Sequence, residues 1–304
     1  MMAALEIRGL EKSYPSTFGT RRIPVLRGID LTVAPGEIYG FLGPNGAGKT
    51  TTIKCILGLL RPDRGSIRLL GRDADSLESR RNLGFLPENP YFYEYLTIRE
   101  LLHFTGRLFC MSGADRKRRV EEVLRQAGLW GREETKLGKC SKGMIQRAGL
   151  AQALVQDPEV LILDEPFSGL DPVGRKELRD LVLSLKSSGR TIFFSSHILQ
   201  DMELMVDRVA IIINGRLVRE GRLDELVSRS VRHYELVVDG VDEKDAARTG
   251  LAGERRDNHT IIRVESLEEV NQKIRAVHVL SGRIAAMIPV KLTLEDIFMR
   301  EIGK

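Results

Sequence analysis

The run Gly43-Pro44-Asn45-Gly46-Ala47-Gly48-Lys49-Thr50, continued by Thr51, sets three glycines, one lysine and two hydroxyls at a phosphate-binding spacing. Glycines let backbone N–H groups converge on an anion, and the helix start that follows adds partial positive charge. Lys49 is placed to reach the β- and γ-phosphates of a nucleotide, the Thr50 hydroxyl to hold Mg²⁺, and Thr51 to add a phosphate hydrogen bond. A strand reading for Ile38–Leu42 before the run and a helix reading for Thr50–Leu60 after it provide the context the motif needs. The motif by itself says nucleotide and no more, because kinases, GTPases, helicases and transporters all carry it.

A second acidic constellation narrows the chemistry. The apolar run Val160–Leu163 ends in Asp164 and Glu165. Asp164 at a strand end suits Mg²⁺, held through water, and Glu165 can polarise an attacking water as general base. Two adjacent carboxylates at a sheet edge repel one another unless a cation sits with them. The loop Ser168-Gly169-Leu170-Asp171 would alone read as an ordinary turn and helix cap, and the lone His197, after Thr191–Ser196, as structural.

Together these residues resemble one pattern, that of ABC-type ATPases, in both order and spacing. Cys140-Ser141-Lys142-Gly143-Met144 is similar to the ABC signature, Ser168–Asp171 to the D-loop, and His197 falls at the switch-histidine position. Gly84–Asn89 occupies the Q-loop, with Glu88 where glutamine is commoner, so a carboxylate approaches Mg²⁺ there. Lys142 stands where the usual signature has glycine. The resemblance covers roughly residues 3 to 225. It implies ATP as ligand, with Tyr14 stacking on adenine and His197 hydrogen-bonding the γ-phosphate. It implies Mg²⁺ held by Thr50, Glu88 and Asp164, and catalysis by Lys49, Glu165 and His197. It implies a head-to-tail dimer, a homodimer on ATP binding, in which Ser141 and Gly143 face the nucleotide on the partner's phosphate loop. The two variants are like those of the exporter branch that moves drugs, sodium or polysaccharides. The expected partner is an integral membrane permease, the expected location the cytoplasmic face of the cell membrane, and nucleic acid is not expected.

These residues need a scaffold. Leu5–Leu10, Gly36–Leu42, Ser66–Leu70 and Arg81–Leu86 read as strands, and Val160–Leu163, Thr191–Ser195 and Val209–Ile213 as buried strands of a parallel sheet. With helices between them, the fold class is α/β: an ABC-type nucleotide-binding core with an antiparallel β edge. From about 88 to 156 the strand signal stops, and Ile98–Cys110 and Asp115–Ala127 show helical spacing, a helical subdomain within a domain spanning 1–228. Residues 229–304 read as a small α+β extension, with strands at Tyr234–Val238, Thr260–Val264 and Arg283–Val290 and helices at Leu267–Leu280 and Leu294–Glu301.

Composition excludes several classes. The 304 residues are 42% hydrophobic and 29% charged with formal charge +5, an ordinary globular balance. Three scattered cysteines suggest neither a disulfide framework nor a zinc site, and fit a reducing compartment. The N-terminus lacks the apolar stretch of a signal peptide, and no run approaches the roughly 20 apolar residues of a membrane span. Arg116–Arg119 lies among Asp115, Glu121 and Glu122 and reads as a solvated helix face. Tyr91, Phe92, Tyr93 and Tyr95 either pack the helical insertion or form the face that receives a permease. A soluble ABC ATPase acting on ribosomes or DNA, an importer subunit and a phosphate-loop kinase stand as alternatives. The single cassette without a coiled-coil insertion weighs against the first, and the signature and His197 against the last.

Overall fold

Five apolar runs become the parallel strands of a six-stranded sheet in the computed structural model, which describes residues 2–16, 21–228, 231–241, 251, 253–256 and 259–303. They are β3 (Ile38–Leu42), β6 (Leu83–Leu86), β7 (Val160–Asp164), β8 (Thr191–Ser196) and β9 (Arg208–Ile213). The sheet order is β10-β9-β3-β8-β7-β6, with β10 (Arg216–Arg222) antiparallel at the edge. Every residue of β3, β7 and β8 is buried, as expected where both faces of a sheet are covered.

A second, antiparallel sheet orders as β2-β1-β4-β5, from β1 (Leu5–Pro15), β2 (Arg22–Val33), β4 (Arg64–Leu69) and β5 (Arg72–Asp73). One apolar core joins the two sheets, combining Leu5, Ile7, Leu26 and Ile29 with Tyr39, Phe41, Ile162 and Phe193. Helix α1 (Lys49–Ile56) adds Ile53, Cys55 and Ile56 to it. That helix stops four residues short of the expected Leu60, because Gly58 takes a left-handed φ of 65° and turns the chain away.

Two strands escape the apolar-pattern reading. Strand β2 carries Pro24 and Gly28 and slips register against β1, which spoils strict alternation. Strand β10 is a charged edge, Arg-Leu-Val-Arg-Glu-Gly-Arg, where solvent exposure removes the apolar signal.

After the short α2 (Leu77–Arg81), the segment between β6 and β7 contains α3 (Ile98–Leu108), α4 (Gly113–Gln126) and α5 (Lys142–Leu154) and no strand. Thr97 caps α3 in a capping box with Glu100, and Ser112 caps α4. Helix α5 has no one-sided stripe: Gln146, Ala148, Gly149, Leu150, Ala151, Ala153 and Leu154 are all buried, so the helix is enclosed on most sides. The basic run at its neighbour is not all solvated. Arg119 is only 8% exposed and turns inward, donating to the carbonyls of Leu154 and Val155 and to Asp157. Beyond β7 and β8 lie α6 (Pro172–Ser187) and α7 (Leu199–Glu203).

The chain forms two compact units, Met1–Leu223 and Asp224–Lys304. The expected boundary after residue 228 falls beside residues 229–230, which lie outside the described set. The second unit begins within α8 (Leu223–Ser228). It contains a four-stranded antiparallel sheet ordered β12-β13-β11-β14, from β11 (Val231–Asp239), β12 (Glu254–Arg256), β13 (His259–Val264) and β14 (Arg283–Lys291). Helix α9 (Leu267–Val279) packs Val270 and Val277 against Leu236, Val238, Ile262 and Val264, and α10 (Leu294–Ile302) follows. Among the described residues no helix is long and apolar enough to cross a membrane.

Candidate functional site

Three adjacent strands deliver the chemistry to one edge. Strands β3, β8 and β7 lie side by side and parallel, with Leu42 opposite Ser196 and Asp164 opposite Ser195. The phosphate loop, His197 and the Asp164–Glu165 pair therefore leave the sheet from neighbouring carboxyl ends, the place where open α/β sheets bind ligands. They bound a cavity of about 520 Å³, lined by Pro44, Asn45, Gly46, Gly48, Lys49, Thr50 and Thr51 on one side and Glu88, Glu165 and His197 on the other.

The loop conformation depends on glycine at a named point. Gly48 has φ 110°, and a β-carbon on it would fall 2.7 Å from Leu26 Cδ2 and 3.3 Å from the Val25 carbonyl oxygen. Backbone conformation and space both demand glycine there. Lys49 follows at once as the first residue of α1, and its ammonium donates to the Gly43 carbonyl at 2.7 Å.

The Lys49 ammonium also lies 3.2 Å from Glu165 Oε1. The other Glu165 oxygen meets His197 Nδ1 at 2.8 Å and accepts the His197 backbone N–H at 3.2 Å. Glu165 adopts a left-handed φ of 47°, rare for a side chain of its size, and Ser195 pins it there. The Ser195 hydroxyl donates to Asp164 Oδ1 at 2.6 Å, and the Glu165 N–H reaches both the Ser195 carbonyl and its hydroxyl. Ser195 thus sets the relative position of the two acids. Sequence reasoning does not single it out, although its place two residues before His197 is a usable signal.

Asp164 sits behind the cavity wall rather than on it. Burial pushes its carboxyl above the usual range, with the charges of Glu165 and Glu88 acting the same way. Hydrogen bonds from Ser195 and Thr50 oppose that rise. A desolvated carboxylate touching a threonine hydroxyl, with a further carboxylate on Glu88, is a hard oxygen set of the kind Mg²⁺ takes. Among the described residues no three His, Cys, Asp or Glu side chains could hold a metal by themselves. The donors therefore fit Mg²⁺ that draws most of its oxygens from phosphate and water.

Six expected residues lie away from this cavity. Gly43 serves through its carbonyl, Asp164 is the one just described, and Ala47 is buried beneath the loop, where its carbonyl accepts from Gly215 N–H. Tyr14 is half-buried near the end of β1, opposite Ile23, and Val25 of the neighbouring strand reaches the cavity instead. Ser141 and Gly143 line a second cavity of about 330 Å³ with Lys142, Gly169 and Asp171. There Ser141 caps α5, accepting the Met144 N–H at 3.3 Å. Around the Q-loop position, Gln146 donates to the Glu88 carbonyl at 2.8 Å and Ser168 to the Glu88 carboxylate at 3.3 Å. Of the aromatic run, Tyr91, Tyr93 and Tyr95 are exposed, at 90%, 61% and 67%. These rings do not pack the insertion.

Known proteins resemble this chain along most of its length. The model of the family described as ABC transporter matches residues 26–168. An uncharacterized ABC transporter ATP-binding protein of Nostoc sp. is 40% identical over 298 residues, covering 97% of this chain and 88% of that protein. The Nod factor export ATP-binding protein I of Burkholderia lata is 36% identical, covering 100% of this chain and 98% of its own length. Among solved structures, an ATP-binding subunit of an ABC transporter matches with TM-score 0.64 and 32% identity, covering 90% of this chain and 99% of that one.

Proposed function

The chain belongs to the ABC transporter ATP-binding family, and from that premise we propose the residues that carry ATP hydrolysis and the direction of transport it drives. The observation that supports the reading is the cluster of Lys49, Glu165 and His197 in one cavity, delivered by the loops that follow β3, β7 and β8.

The backbone N–H groups of residues 45–50 and the Lys49 ammonium bind the β- and γ-phosphates, and Thr51 adds a hydrogen bond. Lys49 exchanges its Glu165 contact for phosphate oxygen. Glu165, so released, accepts a proton from water as the water oxygen bonds to the γ-phosphorus and the bond to the bridging oxygen breaks. His197 holds the Glu165 carboxylate through Nδ1 and its backbone N–H, and its free edge faces the cavity. Thr50, Asp164 and Glu88 would hold Mg²⁺, which when bound neutralises phosphate charge. Tyr14 stacks on adenine only after approaching from the β1 edge.

The second cavity, with Ser141 and Gly143 at the start of α5, receives the γ-phosphate held by a second copy. ATP then closes a head-to-tail homodimer, and hydrolysis reopens it. The exposed Tyr91, Tyr93 and Tyr95 form the face for a separate membrane permease, which places the protein at the cytoplasmic side of the membrane. Export is the favoured direction, supported by the name of the Burkholderia relative and by the exporter-like Glu88 and Lys142.

Two measurements test this. Lys49→Ala should raise the dissociation constant for ATP at least tenfold, and unchanged affinity would sink the phosphate assignment. Tagged Glu165→Gln protein, incubated with ATP and Mg²⁺, should retrieve a polytopic membrane protein from gently solubilised membranes. Retrieval of ribosomal or DNA-bound proteins alone would overturn the transport assignment and leave the ATPase standing.

A further inference from the structure

Lys142 is the first residue of α5, immediately after the cap Ser141, and it is exposed as a whole. Its side chain nevertheless has a defined course. A β-carbon on Gly169 would fall 2.3 Å from Lys142 Nζ, 3.2 Å from Cε and 3.5 Å from Cδ. The end of the lysine side chain therefore runs over the bare face of Gly169, which holds a left-handed φ of 66°.

No ion pair accounts for this placement. In the same cavity Arg147 is paired with Glu177, and Asp171 is engaged as the cap of α6, accepting the Gly174 N–H at 2.8 Å. Among the described residues Lys142 has no carboxylate within ion-pair distance. What remains is contact of the side-chain end, Nζ nearest with Cε and Cδ behind it, with the bare glycine of the loop.

The same loop is tied down at one further point, where Ser168 donates to Glu88. Glu88 in turn accepts from Gln146, one helical turn along α5 from Lys142. The loop 168–171 is thus linked to α5 twice, once directly through Lys142 and once by way of Glu88.

We propose that Lys142 is a positioning residue, whose side-chain end lies over Gly169 and fixes loop 168–171 against the start of α5. This keeps Ser141 and Asp171 in one geometry on the two sides of the second cavity. The inference rests on the reading of that cavity as the place where the partner's nucleotide is met. The ammonium end is the part nearest Gly169, so a side chain that stops short of it replaces only part of the contact.

The test uses the full-length chain and steady-state ATP turnover with equilibrium nucleotide binding. Lys142→Ala should lower kcat by about tenfold, within the ~10²-fold that misplacement of a site can cost. KM and nucleotide affinity should hold. Lys142→Met, one atom shorter and without the ammonium, should restore only part of the loss, and Lys142→Arg, which keeps a cationic end, more of it. Gly169→Ala should also lower kcat, and in the Lys142→Ala background it should cost less, because the clash is gone and only the left-handed strain remains.

A Lys142→Met variant as fast as wild type would show that the ammonium end is not needed and overturn the proposal. So would a Lys142→Ala variant with wild-type kcat, or losses that simply multiply. A wild-type protein that neither binds nor hydrolyses ATP would instead fail the functional reading beneath. Normal wild-type turnover with an indifferent Lys142→Ala fails this inference alone.

Discussion

The Glu165 carboxylate meets the Lys49 ammonium at 3.2 Å, with 9% and 7% of the two side chains exposed. The proposed base and the proposed phosphate cation thus neutralise each other across the cavity, and a phosphate group must compete with Glu165 for Lys49. Glu165→Gln removes one side of that competition and the base together. Nucleotide affinity should be equal to wild type or tighter, while turnover falls by about 10²–10⁴-fold, the usual contribution of a general base. Phosphate release and equilibrium titration read the two effects separately. Turnover near wild type would remove Glu165 from the role of base.

His197 acts on the same carboxylate through two bonds, one from the ring and one from the backbone. Replacing the ring in His197→Ala leaves the backbone bond, so Glu165 should stay partly placed. The expected loss in kcat is about 10–100-fold, in the range set by misorientation of a reacting group. It should be smaller than that of Glu165→Gln, with KM little changed. A larger loss than Glu165→Gln would mean that His197 carries the reaction in its own right.

Much of this site is legible in the sequence, because phosphate binding fixes both residue type and spacing. The loop from Gly43 to Thr51 and the acids at the end of β7 are sequence-local motifs, and each stands beside a short, fully buried strand. The remainder depends on three-dimensional partners. Ser195 carries no motif, yet its hydroxyl meets both the Asp164 carboxylate and the Glu165 N–H. Strand β2 hides behind Pro24 and Gly28, and Val25, which reaches the cavity, hides with it. Helix α5 is buried nearly all round and therefore shows no stripe to detect. Arg119 lies in a run of surface cations, and partners distant in sequence, the carbonyls at the end of α5 and Asp157, explain why it turns inward.

Thiol reactivity offers a check on the core beneath the phosphate loop. Cys55 lies on α1, 3% exposed, and burial pushes its thiol up to about 11. At pH 8 about one such thiol in a thousand is ionised, and the thiolate is the reactive form. Cys110 is exposed. Iodoacetamide at pH 8 should therefore alkylate Cys110 well before Cys55, as peptide mass spectrometry would show. Raising the pH toward 11 should increase Cys55 labelling only as far as access allows. Equal rates at pH 8 would mean that α1 does not pack as described.

Arg119 tests whether the helical segment is held by a buried cation. Its guanidinium donates to Leu154 O at 2.7 Å, Val155 O at 3.2 Å and Asp157 Oδ1 at 2.8 Å, and Glu122 accepts at 3.1 Å. The bonds tie α4 to the end of α5, the helix whose start carries Ser141. Arg119→Met keeps much of the stem and leaves two backbone carbonyls and two carboxylates without this donor. The loss should be about 2–4 kcal/mol, since breaking a buried charged hydrogen-bond set strands its partners. Chemical denaturation reads it directly. The Arg119 hydrogen bond also holds the Glu122 carboxyl below its ordinary range. A lowered folded value means that this contribution is present above the unfolded value and is lost as pH falls through the folded one. The stability gap between wild type and Arg119→Met should therefore narrow in acid. A variant as stable as wild type at neutral pH would return Arg119 to the solvated face that its neighbours suggest.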